Sequence, residues 1–370
     1  MAPTAKAIAM SATRADIRHA AGQLIICGFE SDQVSPELRD VMTEVNPLGL
    51  ILFSRNLPSV EHAQALTHEL KSLRPRPEEP LLLCVDQEGG RVARLKAPCT
   101  EWPPMRSIGA ANDADLARKV GAALAAEMRA LNFDVDFAPV LDVDTNPNNP
   151  IIGHRAFSDD PAKVAALGAA FIRGMQGGGV SACGKHYPGH GDTDQDSHLT
   201  LPHLKHDAKR LAKVEYPPFQ AAIDAGVAAI MTAHVVIDSL DSVPATLSAK
   251  ALDPLRRQFG FTGVIISDDI EMRAVADSYS PAAMAGLGLQ AGIDVFLSCR
   301  KPEVVLELYR GIIQAYERGD VSSQTIIDRA KRAAEWRQTY YQPAKGGAAW
   351  QKVVGCAQHL ALAEHMRRFA

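Results

Sequence analysis

The chain has 370 residues, 46% hydrophobic and 22% charged, with a formal net charge of −4. That length suits one large α/β barrel or two mid-sized domains and is ample for a packed core without disulfide or metal staples, and the mixed charge excludes the basic footprint of a nucleic-acid binder. No run approaches the ~18 apolar residues of a membrane span, and Met1–Gly22 carries Lys6, Arg14 and Arg18 but no unbroken apolar core of a secretory signal, so the sequence reads as cytoplasmic.

In chain order, residues 1–14 form an N-terminal extension and the first apolar, β-rich run is Gln23–Glu30. A second strand is expected at Leu48–Arg55, then a helix over Val60–Leu73 and a third strand at Leu81–Asp86. A helix at Ala114–Leu131 leads to the fourth strand, Val135–Val143. In Pro161–Gln176 the apolar residues Val164, Leu167, Phe171, Ile172 and Met175 share one face of a 3.6-residue period, with Pro161 suited to the first turn. The fifth strand, Ser181–His186, and a helical Asp207–Ala225 precede the sixth, Ala228–Val236. A longer connection through Ser239–Phe259 holds a helix from Ser248. The last two strands, Val264–Asp268 and Asp294–Ser298, are interleaved with helices at Arg273–Ala291, Pro302–Arg318 and Ser322–Tyr341. Each strand is nearly continuous in apolar residues, as buried parallel strands are.

Eight strands alternating with helices predict a (β/α)8 TIM barrel, α/β in class, as a single domain over 15–342. Residues 343–370 then form a C-terminal tail, helical and packed on the barrel. Against a doubly wound open sheet, no Gly-rich dinucleotide fingerprint follows the first strand. The cysteines show no C-x-x-C spacing; Cys27, Cys84, Cys183 and Cys299 lie in or at the end of apolar runs, as small buried thiols do.

Polar residues collect at the C-terminal ends of these strands, where a barrel builds its active site. Strand three ends in Asp86-Gln87-Glu88-Gly89-Gly90-Arg91-Val92-Ala93-Arg94, and strand four opens into Asn146-Pro147-Asn148-Asn149-Pro150 and Gly153-His154-Arg155. Strand six ends at His234 and strand seven at Ser267-Asp268-Asp269. An isolated Asp or His in such a place more often caps a solvated loop than catalyses; several at one rim are harder to dismiss. The densest loop follows strand five, Lys185 to His198, and combines three glycine or proline positions with clustered His and Asp. In an extended segment Asp196 and His198 would share a side, letting the carboxylate hold the imidazole as a general acid and then base. Asp268 is the best nucleophile candidate for a retaining glycosidase, with Asp269 as its rival or as a cap of the helical run that follows. Asp86 can accept from vicinal hydroxyls, Arg94, Arg155 and Lys185 can donate to hydroxyl or acetamide oxygens, and His186 can do either; a structural ion pair is the plain alternative for each Arg.

Through Lys185-His186-Tyr187-Pro188-Gly189-His190-Gly191-Asp192-Thr193 and Asp196-Ser197-His198, supported by Val85-Asp86-Gln87-Glu88-Gly89-Gly90-Arg91-Val92 and Ser267-Asp268-Asp269, the sequence closely resembles family 3 glycoside hydrolases, specifically the single-domain bacterial β-N-acetylglucosaminidases (β-hexosaminidases) of the NagZ type. The resemblance implies Asp268 as nucleophile, Asp196 and His198 as the acid/base dyad, and Asp86, Arg94, Arg155, Lys185 and His186 as sugar-binding residues. It further implies removal of terminal N-acetylglucosamine from cell-wall fragments bearing anhydro-N-acetylmuramic acid in cytoplasmic peptidoglycan recycling. No metal or organic cofactor, nucleic acid, membrane or obligate protein partner is implied; the only ligand is the saccharide. Tyr187 stands where Phe is more familiar and Ala156 where Ser is usual, and neither change removes a catalytic group.

Other readings stay open at this stage. A metal-dependent hydrolase on the same barrel would use His186, His190, Asp192 and His198 as ligands, although these crowd one loop. In a substrate-assisted hexosaminidase the acetamide would attack instead of Asp268. A glycoside phosphorylase would exploit a His acid/base that carries no repelling negative charge, and a non-catalytic saccharide binder would need neither His198 nor Asp268.

Overall fold

The computed structural model describes residues 13–370 apart from 74, 75, 77, 198 and 347. Eight parallel strands close into a barrel: β1 Ile25–Cys27, β2 Gly49–Leu52, β3 Leu82–Val85, β4 Val135–Asp136, β5 Ser181–Tyr187, β6 Ala229–Thr232, β7 Val264–Asp269 and β8 Val295–Ser298. Each strand pairs with its sequence neighbours, and β8 returns to β1 through Ile25 opposite Phe296. The (β/α)8 expectation therefore holds.

The strands are buried on both faces up to the mouth, where Asp268 and Asp269 are half-buried, and the two-residue period sorts the side chains. Ile26, Leu82, Cys84, Cys183, Val264, Ile266, Val295 and Leu297 fill the barrel interior, while Ile25, Leu83, Ile265 and Phe296 face the surrounding helices. This alternation also fixes what stands at the mouth. A one-residue slip would drive the strand-end carboxylates into the apolar layer under the helices, at several kcal/mol for each unpaired charge.

The helical shell starts with Arg14–Gly22, whose N-cap Thr13 and Asp16 form a reciprocal capping box. Pro36–Glu44 is a helix not anticipated from the sequence; Ser35 caps it and Pro36 opens it. Three expected elements are interrupted, each at a proline. The expected strand Val135–Val143 keeps only Val135–Asp136 in the ladder, with an isolated bridge from Val140 to Lys185, because Pro139 has no N–H to donate. The expected helix Asp207–Ala225 runs as Ala208–Arg210, a π turn over Leu211–Glu215 and Tyr216–Asp224; Pro217 and Pro218 leave preceding carbonyls without their usual partners. Arg273–Ala291 is two helices, Arg273–Ala276 and Pro281–Ala291, the second capped by Ser280.

Buried charges brace the end of the barrel opposite the mouth. Asp134 takes Lys71 Nζ at 2.7 Å and Arg129 at 3.1 Å, and Asp294 gathers Arg256, Arg329 and Arg332. Beyond the barrel, Ala357–Arg367 is helical, and His359 reaches the buried Glu127 at 2.9 Å. Among the described residues no helix is long and apolar enough to cross a membrane.

Candidate active site

Continuing the inward alternation past Cys84, Cys183, Ile266 and Leu297 leads to Asp86, Lys185, Asp268 and Cys299, and all four line one cavity of 340 Å³ at the C-terminal mouth of the barrel. Arg94, Arg155 and His186 complete its polar wall; Phe53, Val92, Ile151, Ile152 and Met272 give it apolar surface. The ladder is irregular at two of these points, between Gly184 and Tyr187 and between Ile266 and Asp269. There the Ser267 hydroxyl accepts the Leu297 N–H at 2.9 Å in place of a ladder carbonyl.

A chain of short ion pairs runs across the cavity floor. Lys185 Nζ lies 2.7 Å from Asp86 Oδ1 and 2.7 Å from Glu88 Oε1, and Arg155 grips Glu88 with both prongs at 2.8 Å. Arg94 stands 3.8 Å from Asp86 with its guanidinium over the Phe53 ring. Burial alone would raise the Glu88 carboxyl, but Arg155 and Lys185 outweigh it and hold it well below the carboxylate range. The converse applies to the cations. Burial works against the charge on Lys185, and Asp86 and Glu88 more than restore it. Glu88 and Lys185 are thus both held in their charged forms by the array.

The two candidate nucleophiles have opposite environments. Burial would raise Asp268, but the nearby His186 and His234 rings and the Asp269 N–H at 2.8 Å hold it below the usual carboxylate range. Asp269 is pushed up to about 7, chiefly by burial, and its Oδ1 is occupied by the N–H groups of Glu271 at 3.0 Å and Cys299 at 3.1 Å. An ionised carboxylate open to the cavity and a carboxyl tied to backbone amides are different instruments. The first suits attack on carbon; the second suits holding the turn.

Residues 16–335 match the glycosyl hydrolase family 3 N-terminal domain. The chain belongs to glycosyl hydrolase family 3. Its relatives in this family include a β-hexosaminidase of Chromobacterium violaceum, 44% identical over 69% of this chain and 72% of that protein, and one of Neisseria meningitidis, 41% identical over 84% and 83%. Among solved structures, a family 3 β-N-acetylglucosaminidase from Paenibacillus superposes with a TM-score of 0.91 at 35% identity, covering 95% of this chain and 68% of its own. NagZ from Neisseria gonorrhoeae, in complex with N-trifluoroacetyl-D-glucosamine, gives 0.78 at 33% identity over 94% and 98%. The NagZ-type resemblance thus extends over nearly the whole chain, and this family 3 member is a glycoside hydrolase of the β-hexosaminidase group.

In this family 3 chain the loop after β5 is pinned along its first half. His190 donates its backbone N–H to Asp142 at 2.7 Å, and its ring lies between Thr193 Oγ1 at 2.8 Å and Ser197 Oγ at 3.0 Å. Burial lowers the His190 pKa to about 4, so this ring is neutral. Gly191 passes so close to the Val143 carbonyl that a Cβ would sit 1.9 Å from it. Asp192 takes the Thr145 hydroxyl at 2.7 Å and faces Arg210 and His206. Ser197, between the two acid/base candidates, lines the cavity. The Asp196 carbonyl accepts the N–H of Leu199 at 2.9 Å and of Thr200 at 3.0 Å. His198 lies outside the described residues.

Asp86, Arg94, Arg155, Lys185, His186 and Asp268 are therefore gathered in one cavity. Of the metal ligand set weighed from the sequence, His190 and Asp192 are committed to other partners, and among the described residues no cluster of His, Cys, Asp or Glu is arranged to hold an ion. Sequence reasoning passed over Glu88 and Asp142. Glu88 is two residues beyond Asp86, on the same inward face, a usable signal. Asp142 accepts His186 Nδ1 at 2.7 Å and is buried in the apolar stretch Leu141-Asp142-Val143, where a carboxylate must have a partner.

Proposed function

We propose that the chain is a retaining β-N-acetylhexosaminidase that hydrolyses terminal non-reducing N-acetylglucosamine from peptidoglycan fragments, N-acetylglucosaminyl-anhydro-N-acetylmuramic acid and its peptides, in cytoplasmic cell-wall recycling. The observation that carries the reading is Asp268, an ionised carboxylate at the cavity floor beside a wall of preset hydroxyl-binding groups. Lys185, Asp86 and Arg94 take the vicinal hydroxyls, with His186 and Arg155 completing the grip on the ring.

In the first step an Asp268 oxygen bonds to the anomeric carbon. The glycosidic C–O bond breaks, and the leaving oxygen takes a proton from His198, polarised by Asp196. In the second step His198 removes a proton from water, the water oxygen bonds to the anomeric carbon, and the Asp268 ester breaks. Inversion at each step gives net retention.

A 5-fluoro N-acetylglucosaminyl fluoride, which keeps the 2-acetamido group and carries a good leaving group, tests this reading. Mass spectrometry of the digested protein should find one adduct, on the peptide carrying Asp268. No adduct, or an adduct on Asp269, refutes the assignment, and the absence of adduct with normal turnover points to attack by the acetamide. Turnover of an N-acetylglucosaminide far above that of the matching glucoside is the second expectation.

A further inference from the structure

The motif Asn146-Pro147-Asn148-Asn149-Pro150 stands at the active-site rim in sequence, yet the cavity wall described above does not use it. Asn149 is instead buried between the two loops that build that wall. Its Oδ1 accepts the backbone N–H of Ile151 at 2.9 Å and of Ile152 at 2.8 Å. Its Nδ2 donates to the His190 carbonyl at 2.8 Å and to Thr193 Oγ1 at 3.2 Å. Every donor and acceptor of the amide is used, and the orientation is unambiguous, because one end meets two N–H groups and the other a carbonyl.

Each of these partners leads to the chemistry. On one side, the Ile151 carbonyl accepts Arg155 Nη1 at 3.1 Å as well as the Arg91 guanidinium, and Arg155 holds Glu88; Ile151 and Ile152 themselves line the cavity. On the other side, Thr193 and His190 pass the contact to Ser197, the residue between Asp196 and His198. Asn146 clasps the same loop through the Thr193 carbonyl at 3.2 Å but bonds none of the groups around Arg155. Within this motif, among the described residues, Asn149 is the side chain that bonds both loops.

We propose that Asn149 is a positioning residue for the proton-transfer step: it registers the acid/base loop against the sugar-seating loop. The inference rests on the reading of Asp196 and His198 as the acid/base pair. Asn149→Asp is the discriminating variant, because it keeps an oxygen for Ile151 and Ile152 and replaces the donor facing His190 with a second oxygen. Sugar seating is then retained while the loop bearing the proton donor is released.

The experiment measures kcat and KM for Asn149→Asp, His198→Ala and the unaltered protein on two substrates. One is an N-acetylglucosaminyl disaccharide with a poor leaving group; the other is a 2,4-dinitrophenyl N-acetylglucosaminide that needs little protonation. Misplacing a catalytic group by about 1 Å costs on the order of 100-fold. Asn149→Asp should therefore lose roughly 10- to 100-fold in kcat on the disaccharide and less than about 3-fold on the activated glycoside, with KM little changed on either. Equal losses on both substrates, or none, overturn the proposal when His198→Ala does discriminate between them. If His198→Ala itself shows no leaving-group dependence, the acid/base reading fails instead. Should Asn149→Asp not fold, Thr193→Val removes the hydroxyl that Asn149 and His190 share. It must then give the same leaving-group signature or the proposal falls.

Discussion

Glu88→Gln removes one charge from the cavity floor and almost no volume. The carboxylate it replaces is 2% exposed and sits 2.8 Å from Arg155 and 2.7 Å from Lys185, themselves only 12% and 3% exposed. Solvent screens none of these contacts appreciably, so the ordinary figure for breaking a buried pair applies, about 3–5 kcal/mol. Gln retains the shape and one acceptor, which favours the low end, about 3 kcal/mol. Domains of 150–250 residues shift by ~2–4 °C for each kcal/mol, so the melting temperature should fall by roughly 5–10 °C in this longer chain. Arg155 loses its bidentate grip and Lys185 one of the carboxylates that hold it, so KM for an N-acetylglucosaminide should rise by about 10-fold. The sign with pH follows from the lowered Glu88 pKa. The stabilisation is fully present above the unfolded value of about 4.3 and is lost as the pH falls through the lower folded value. The gap between the two proteins should thus be constant from about pH 5 to 8 and close in stronger acid. Thermal melts across pH, with steady-state kinetics at neutral pH, measure both effects. A shift under about 2 °C with unchanged KM would mean that the array does not hold the cavity, and the reasoning would be wrong. A double-mutant cycle sharpens the result: Arg155→Gln should cost much less in the Glu88→Gln background than alone.

Asp268→Ala should lower kcat by on the order of 10⁴-fold with an unchanged circular dichroism spectrum, and near-normal turnover would remove Asp268 from the nucleophile role. His198→Ala should be strongly impaired on disaccharides and much less on activated aryl glycosides; equal losses would argue against an acid. Asp136, fully buried beneath the site with Oδ1 on the Gln87 N–H at 2.9 Å, is pushed up to about 8 by burial. Because the folded protein holds that proton while an unfolded Asp releases it near 3.9, stability should fall as the pH rises from about 4 to 8. Asp136→Asn should gain on the unaltered protein by up to ~1.4 kcal/mol per pH unit across that window; parallel stability curves would show that Asp136 is ionised in the barrel.

The barrel was legible because its strands are buried on both faces and read as apolar runs, a signal that needs no partner to be recognised. The departures occur where a local feature overrides the run. Beyond Pro139 Val140 keeps only an isolated bridge to Lys185 and residues 141–143 leave the ladder, and Pro281 with Ser280 restarts a helix after Asp277-Ser278-Tyr279. Pro36–Glu44 escaped notice for the opposite reason: its cap and opening proline are clear, but nine residues hold too few apolar positions to establish a period.

The site divides along a similar line. Residues that face the cavity announce themselves at strand ends, since alternation carries Cys84 to Asp86, Cys183 to Lys185 and Ile266 to Asp268. Residues that hold those groups in place have partners far along the chain. Glu88 meets Arg155 67 residues on, Asp142 meets His186 after 44 and Asn149 meets His190 after 41. Closing the barrel is what creates these pairs, so no local pattern contains them. The consequence is mechanical. Asp268 stands on a strand whose ladder and packing fix it, whereas the loop after β5 is fixed by side-chain bonds from Asp142, Thr145, Asn146 and Asn149, all contributed by the β4 connection. Substitutions in that connection should therefore leave Asp268, the proposed nucleophile, in place and act on whatever the β5 loop contributes, which makes the leaving-group dependence of kcat, rather than residual activity alone, the measurement that separates the two halves of the proposed site.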